Sequence, residues 1–327
     1  MNWLGKRVIV TGAGGFIGSH LTERLVELGA DVRAFVHYNA LGSRGWLDQS
    51  AVQDEVHVFA GDVTDRDSIK QAMQGREIVF HLAALIAIPY SYQAPLSYVR
   101  TNVEGTLNVL QAARDAGVER VVHTSTSEVY GTAQSVPIDE THPLQGQSPY
   151  SASKIGADKM AEAFFRSFGL SVVTVRPFNT YGPRQSARAI IPTIITQLFA
   201  GQAVRLGSLN PTRDFNFVTN IVDGFVLAAS TPKASGRTIN LGSGNEISIG
   251  DLAQLIARLA HMPIRIESDE VRVRPKGSEV ERLLAGNQLA RELLGWKPQI
   301  NLEDGLQRTI KWIQEHPERY RPGDYVL

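Results

Sequence analysis

Along the first half of the chain, short β-branched apolar runs alternate with longer stretches in which apolar residues recur every three or four positions. The runs at 7–11, 31–36, 56–60, 78–82, 120–124 and 171–175 predict strands, and the stretches 16–28, 65–73, 98–116 and 150–168 predict helices. Gly29, Gly117 and Gly169 each stand between a helical stretch and the next strand. A left-handed residue at a helix end carries no Cβ penalty when it is glycine, so these positions mark helix C-termini. Strands that are apolar almost throughout are buried on both faces. They predict a parallel sheet covered by helices on either side, a doubly wound α/β fold of the Rossmann kind. After Pro177 the rhythm changes, and prolines at 183, 192, 211, 232, 263, 275 and 298 cut the chain into shorter pieces. The expected organisation is a Rossmann domain over 1–177 with a return strand near 237–242, and a smaller mixed α/β domain mainly over 178–327.

Composition narrows the partners. Lys+Arg and Asp+Glu both number 33, and the balanced charge, with no basic run, excludes the stripe that neutralises nucleic-acid phosphates or docks on anionic lipid. The chain has no cysteine, which removes disulfides, thiolate chemistry and cysteine-based zinc sites. No His/Asp/Glu group has metal-ligand spacing, so no metal is expected. The longest apolar stretch, 78–88, contains His81 and falls well short of the ~20 residues that span a bilayer. The first ten residues place Lys6 and Arg7 before a strand-like run and lack a signal-peptide pattern, so the cytoplasm is the expected location.

Thr11-Gly12-Ala13-Gly14-Gly15-Phe16-Ile17-Gly18 follows the first strand and opens the first helix. Gly12 permits a tight turn, Gly15 lets the backbone approach a pyrophosphate, and Gly18 lets the helix sit close to the strand. The helix N-terminus then offers free N–H groups to phosphates. This context points to a dinucleotide, with a plain strand-to-helix turn as the alternative. The acidic residue expected after the second strand is replaced by Val36-His37-Tyr38-Asn39, which leaves NAD and NADP both open. Arg44 is a candidate for a 2′-phosphate or else a solvated loop charge. Asp62 is a candidate acceptor for the adenine amino group or else the N-cap of the next helix.

Tyr150 and Lys154 lie four residues apart on one helix face, and Thr124-Ser125-Thr126-Ser127-Glu128 closes the fifth strand at the sheet edge where ligands bind. A phenol needs a neighbouring positive charge to act as a base near neutral pH. Lys154 and a cationic nicotinamide supply that charge, so Tyr150 is expected to be depressed, to take a hydroxyl proton while hydride leaves the same carbon, and to be helped by Thr126. His81, ending an apolar strand, is expected to be a satisfied core histidine.

These motifs, together with Phe80-His81-Leu82-Ala83-Ala84, Thr101-Asn102-Val103-Glu104-Gly105-Thr106 and the run Arg176-Pro177-Phe178-Asn179-Thr180-Tyr181-Gly182-Pro183-Arg184, resemble the extended short-chain dehydrogenase/reductases that act on nucleotide sugars. The resemblance implies a tightly bound NAD or NADP, NAD favoured, held by Gly12, Gly15, Phe16, Ile17, Gly18, His37, Arg44, Asp62, Val63, Leu82, Ala83, Ala84, Thr101, Tyr150, Lys154 and Pro177. It implies a catalytic set of Thr126, Ser127, Glu128, Tyr150 and Lys154, and a nucleotide-sugar substrate held by Asn179, Arg184, Arg213 and Arg274. Asn179 has a backbone-turn role as its alternative, and Glu279 reads as a surface acid. In related 4,6-dehydratases the string is Thr-Asp-Glu, in which Glu takes the C5 proton and Asp protonates the departing C6 hydroxyl. Here Ser127 stands for that Asp, as in UDP-glucuronate decarboxylases.

Residues 40–48, 187–195 and 211–218 resemble the LegB-type NDP-N-acetylglucosamine 4,6-dehydratases. The reading this implies is C4 oxidation, loss of water across C5 and C6, and reduction at C6, most simply on the UDP sugar. UDP-glucuronate decarboxylase, NDP-sugar 4-epimerase and a non-catalytic NAD(P) sensor remain alternatives. Leu107, Leu110, Phe164 and Phe165 exceed what one sheet face requires, and in related enzymes this helix pair forms a dimer interface, so a homodimer is expected.

Overall fold

The computed structural model describes residues 1–320. From the N-terminus the elements are β1 (Arg7–Thr11), α1 (Phe16–Glu27), β2 (Asp31–His37), β3 (His57–Gly61), α2 (Arg66–Met73), β4 (Ile78–His81), α3 (Ile88–Gln93), α4 (Pro95–Tyr98), α5 (Gly105–Asp115), β5 (Arg120–Thr124), α6 (Pro149–Phe168) and β6 (Val172–Pro177). Beyond them come β7 (Asn179–Tyr181), α7 (Ile190–Phe199), β8 (Val204–Leu206), β9 (Thr212–Arg213), β10 (Phe215–Phe217), α8 (Val218–Ser230), β11 (Thr238–Leu241), β12 (Ile247–Ser248), α9 (Ile249–Leu259), β13 (Ile266–Ser268), α10 (Gln288–Leu294) and α11 (Leu302–Glu315).

Seven parallel strands form the main sheet in the order β11-β6-β5-β4-β1-β2-β3. The two-residue period of a strand sends alternate side chains to opposite faces. Val8 and Val10 therefore join a core with Leu21 and Leu25 of α1 and Ile221 and Phe225 of α8, while Ile9 faces a second core with Ile69 of α2, Val109 of α5 and Phe164 of α6. This is the doubly wound α/β sheet that the apolar runs predict. Each fully buried aliphatic side chain contributes about 1.5–3 kcal/mol.

Three features depart from the pattern. The outermost strand β3 leaves His57, Val58 and Ala60 exposed, because an edge strand has a neighbour on one side only. The stretch 98–116 is not one regular helix, since Val99–Glu104 forms a π-helical turn between α4 and α5. Within that turn the Asn102 side chain donates to Leu85 O and accepts from Leu85 N, both at 2.9 Å, and donates to Ser153 Oγ at 2.9 Å. Leu110 and Phe164, expected on a partner-facing surface, are 1% and 4% exposed and already belong to the core beneath α5 and α6.

The second half returns to the sheet twice. β11 pairs in parallel with β6, and α8 packs over β5 and β6. One continuous apolar core links α1 and the sheet to α7, α9 and α11. Polar contacts reinforce the join: Arg184 donates to Glu23 of α1 at 2.8 and 3.0 Å and to Ser19 Oγ at 3.1 Å, and His20 Nε2 lies 3.1 Å from Pro183 O. No helix among the described residues is long and apolar enough to cross a membrane, and no group of three or more His, Asp or Glu among them is arranged to hold a metal ion.

Candidate active site

The strand order reverses between β1 and β4, and the crevice at the carboxyl ends of such strands is where ligands bind in this architecture. The glycine loop lies there. Gly12 has φ +72°, and a Cβ on it would come within 2.8 Å of Ala83 N. A Cβ on Gly18 would run into Gly12 O, so α1 is drawn against the loop as a dinucleotide fingerprint requires. A Cβ on Gly15 would press on Gly12 O at 3.2 Å and meet no other atom within 4 Å, and no side chain caps the N-terminus of α1. The first N–H groups of α1, at Phe16, Ile17 and Gly18, thus face an open cradle of the shape and sign that a pyrophosphate fits.

The surrounding candidates separate into those that reach this crevice and those that do not. Leu82 N and Ala83 N each donate to Thr11 Oγ1 at 3.2 Å, so 82–84 runs alongside the glycine loop. His37 ends β2 with Nδ1 3.9 Å from Asp62 Oδ2. Asp62 Oδ1 accepts from Thr64 N and Oγ1 at 2.8 and 2.9 Å, while Asp65 caps α2. Asp62 is therefore not that helix's N-cap, and its second oxygen is directed to the His37 side. Val63 is buried against Gly105, Thr101 is half-buried in the π turn, and Pro177 ends β6 opposite Leu241. Arg44, a 2′-phosphate candidate or else a solvated loop charge, packs its backbone on Gly14 and turns its guanidinium to Gln53 O at 3.4 Å and Asp48 at 3.7 Å.

The catalytic candidates come together. Thr126 caps the short 3₁₀ turn at Ser127–Tyr130, accepting from Glu128 N at 3.3 Å. Ser148 and Ser151 form a capping box at the start of α6 with Pro149 in its first turn, which sets Tyr150 at the helix mouth. Tyr150 is buried, with Thr126 in hydrogen-bonding reach of its phenol and the Tyr98 ring edge-on at 6.2 Å. Lys154 Nζ donates to Thr124 O at 2.6 Å.

The expected depression of Tyr150 is not present in the protein's own charges. Burial raises the phenol, the Thr126 hydrogen bond lowers it, and the carboxylates of Glu128 and Asp158 add to the rise. Burial also lowers Lys154 to about 8. The ammonium is spent on the Thr124 carbonyl, so any further pull on the phenol must come from a bound positive charge. His81 is the core histidine expected, with Thr11 Oγ1 at 2.8 Å and Thr106 Oγ1 at 3.0 Å, and burial holds it neutral.

Of the arginines, Arg213 and Arg274 converge and Arg184 does not. Arg213 on β9 is 6% exposed, donates to Glu279 at 3.3 Å, and lies within electrostatic range of Glu128. Arg274 is 3.8 Å from the same carboxylate, with a buried Nη1 that makes no hydrogen bond. Glu279, read as a surface acid, is instead the shared counter-ion of both. Arg184 is held by Glu23 in the clamp on α1. Asn179 has a buried side-chain oxygen without a hydrogen bond. A cluster of His123, Ser125, Asp158 and Arg176 behind Lys154 was not singled out, and its one signal was a carboxylate four residues after Lys154 on the same helix face.

Residues 9–309 match the profile of the GDP-mannose 4,6 dehydratase family. The chain belongs to that family. Its relatives within the wider group of nucleotide-sugar dehydratases and epimerases include a dTDP-glucose 4,6-dehydratase of Streptomyces griseus, 35% identical over 96% of each chain. A UDP-glucose 4-epimerase of Mycolicibacterium smegmatis is 34% identical over 94% of this chain and 98% of its own. Among solved structures, DesIV, the dTDP-glucose 4,6-dehydratase of Streptomyces venezuelae crystallised with NAD bound, superposes with a TM-score of 0.87 at 31% identity, covering 96% of this chain and 99% of that one. The wider group thus contains both 4,6-dehydratases and 4-epimerases, two of the reactions named among the readings above.

Proposed function

We propose that the protein is a nucleotide-sugar 4,6-dehydratase that converts an NDP-N-acetylglucosamine, with UDP as the nucleotide, to the 4-keto-6-deoxy sugar. The observation that carries the reading is the grouping of three side chains with distinct duties. The half-buried Thr126 lies within hydrogen-bonding reach of the buried Tyr150 phenol, and the half-buried Glu128 lies within electrostatic range of both Tyr150 and Arg213. A simple 4-epimerisation needs the first two and leaves Glu128 without work.

The cofactor is NAD, held by the open cradle over Gly15 and by His37 and Asp62. The turned-away Arg44 guanidinium favours NAD over NADP. Bound there, NAD would supply a hydride acceptor and donor for C4 and C6 and a positive ring whose field Tyr150 otherwise lacks. The chain's residues move the protons. Tyr150 takes the C4 hydroxyl proton with Thr126 orienting that hydroxyl. Glu128 takes the C5 proton as the C6–O bond breaks and returns it to C5 when C6 is reduced; the departing hydroxyl leaves as water with the proton that Tyr150 took from the C4 hydroxyl, relayed at Ser127. Arg213 and Arg274, kept apart by Glu279, hold the diphosphate, for which a guanidinium fork is suited. Asn179 faces the same substrate. We place the enzyme in the cytoplasm as a homodimer.

Ser127 in place of an acid favours a second reading, UDP-glucuronate decarboxylase, since that reaction needs no donor for a leaving hydroxyl. Incubation with UDP- and GDP-N-acetylglucosamine and with UDP-glucuronate separates the two. A 4-keto product absorbing in alkali is expected from the N-acetylglucosamine substrates, and substrate deuterated at C4 is expected to yield product deuterated at C6. Deuterium lost to solvent overturns the scheme, carbon dioxide from UDP-glucuronate transfers the assignment to the decarboxylase, and no turnover on any substrate leaves a nucleotide sensor.

A further inference from the structure

Behind Lys154 lies a buried polar cluster that the proposed chemistry does not use. Asp158 stands on α6 one turn after Lys154 and is 5% exposed. Its Oδ2 accepts from Ser125 Oγ at 2.7 Å and from Arg176 Nη2 and Nε at 2.9 and 3.2 Å, and its Oδ1 lies 3.1 Å from His123 Nε2. A buried carboxylate persists as an ion only when it is paired and hydrogen-bonded in this way. The donors come from β5, β6 and the residue that follows β5, so one side chain ties α6 to the strand end that carries Thr126, Ser127 and Glu128. Arg176 continues the connection by donating to Tyr130 Oη at 2.9 Å, and Tyr130 closes the same 3₁₀ turn as Glu128.

The charges around Lys154 give Asp158 a second duty. The groups facing it are Tyr150 and Asp158 on α6, His81 on β4, His123 on β5, and Arg176 on β6. Burial keeps both histidines neutral and Tyr150 protonated, and Arg176 is itself paired to Asp158. Asp158 is therefore the neighbouring charge that favours an ammonium at position 154, opposing the desolvation that works against it.

We propose that Asp158 is a positioning residue of this site: its fixed charge holds Lys154 as an ammonium on Thr124 O, and its bonds to Ser125 and Arg176 fix the β5 end that presents Thr126 and Glu128. The proposal rests on Lys154 belonging to the active site, whichever sugar is turned over.

The geometry supplies a clean variant. Because Asp158 only accepts, His123 donates from Nε2, and its buried Nδ1 makes no hydrogen bond. In Asp158→Asn the amide oxygen keeps Ser125 and Arg176, while the amide NH2 donates to His123 Nε2 once the ring proton moves to Nδ1. The charge goes and the contacts stay. A cavity of about 550 Å³ lined by Asp158, Arg176, Thr174 and Arg237 reaches the cluster from behind α6 and is large enough to admit a small carboxylate.

The test follows the titration of Lys154 itself, by NMR of protein labelled at lysine Cε, a chain with eight lysines in which Lys154→Arg assigns the resonance. The Lys154 midpoint is expected to fall by about one pH unit or more in Asp158→Asn and to stay in place in Ser125→Ala, which removes a hydrogen bond but no charge. The falling alkaline limb of kcat/KM is expected to move to lower pH by the same amount. An unmoved Lys154 midpoint in Asp158→Asn overturns the proposal. If that variant fails to fold, Asp158→Ala purified in formate carries the test: formate is expected to restore the midpoint, and formamide, of similar shape without charge, is not. Restoration by both or by neither overturns it. If no nucleotide sugar is turned over at all, the function proposed above fails while the Lys154 titration still decides this one.

Discussion

At the scale of single residues, the division of labour at the site predicts separable kinetic defects. Tyr150→Phe keeps the ring that packs on Tyr98 and deletes the hydroxyl, so kcat is expected to fall by about 10²–10⁴-fold with little change in melting temperature. Turnover within a few-fold of wild type would show that Tyr150 is not the base. Arg213→Ala removes a buried cation paired with Glu279, and a charged hydrogen bond of about 1.5–3 kcal/mol corresponds to a rise in KM of roughly 10–100-fold with kcat changed less. The reverse split would assign Arg213 to the chemical step. Tyr150, Lys154 and Thr126 are legible in the sequence because a helix and a strand end space them locally. Glu279 is not, since Arg213, the arginine that donates to it, lies 66 positions away and only the fold brings them together. The surroundings of the Tyr150 phenol are not legible from spacing alone, because four-residue proximity says nothing of burial or of where the Lys154 ammonium points.

Elements show the same boundary between local and long-range information. Left-handed glycines at 29, 117 and 169 end their helices as the sequence implies. The π-helical turn at Val99–Glu104 breaks a three-and-four-residue pattern without any change in composition, and its physical partner, the Leu85 backbone held by Asn102, is a loop that follows another strand. The clamp on α1 is equally long-range, and it has a pH signature. Burial and the nearby Arg184 hold His20 down at about 4, against an unfolded value near 6.5. A histidine with a lowered folded pKa is neutral when native and favours unfolding once protonated. Its contribution is therefore fully present above pH 6.5 and is lost as pH falls from about 6.5 towards 4, by at most about 3 kcal/mol. Urea unfolding at pH 7.5 and pH 5 is expected to show this loss, and His20→Gln is expected to lose measurably less over the same interval. An identical pH dependence in the two proteins would move the acid sensitivity elsewhere, with buried His123 the next group to examine.

At the scale of the whole molecule, local periodicity suggests two parts, and one continuous apolar core joins them. β11 is the return strand expected near 237–242, whereas α8 reads as an ordinary segment of the second half yet packs on β5 and β6 of the first. The same distinction sharpens the expected dimer. Leu110 and Phe164 are occupied inside the monomer, so they give no reason for a partner. The argument moves to what is left outside: Leu96 is 59% exposed, Val99 51% and Phe168 53%, and Leu96 and Val99 continue through the partly buried Val103 and Leu107 at helical spacing along the α4–α5 stretch. An apolar stripe of this kind running beside α6, with Val103 packed on Gly156, is the surface from which two copies of the proposed homodimer would build a four-helix interface by self-complementary contact. Light scattering at micromolar concentration is expected to give twice the chain mass. Val99→Glu is expected to halve it without lowering the stability of the monomer, because Val99 contributes little to the internal core. A wild-type monomer discards the dimer, and a Val99→Glu protein that remains dimeric places the interface on another face.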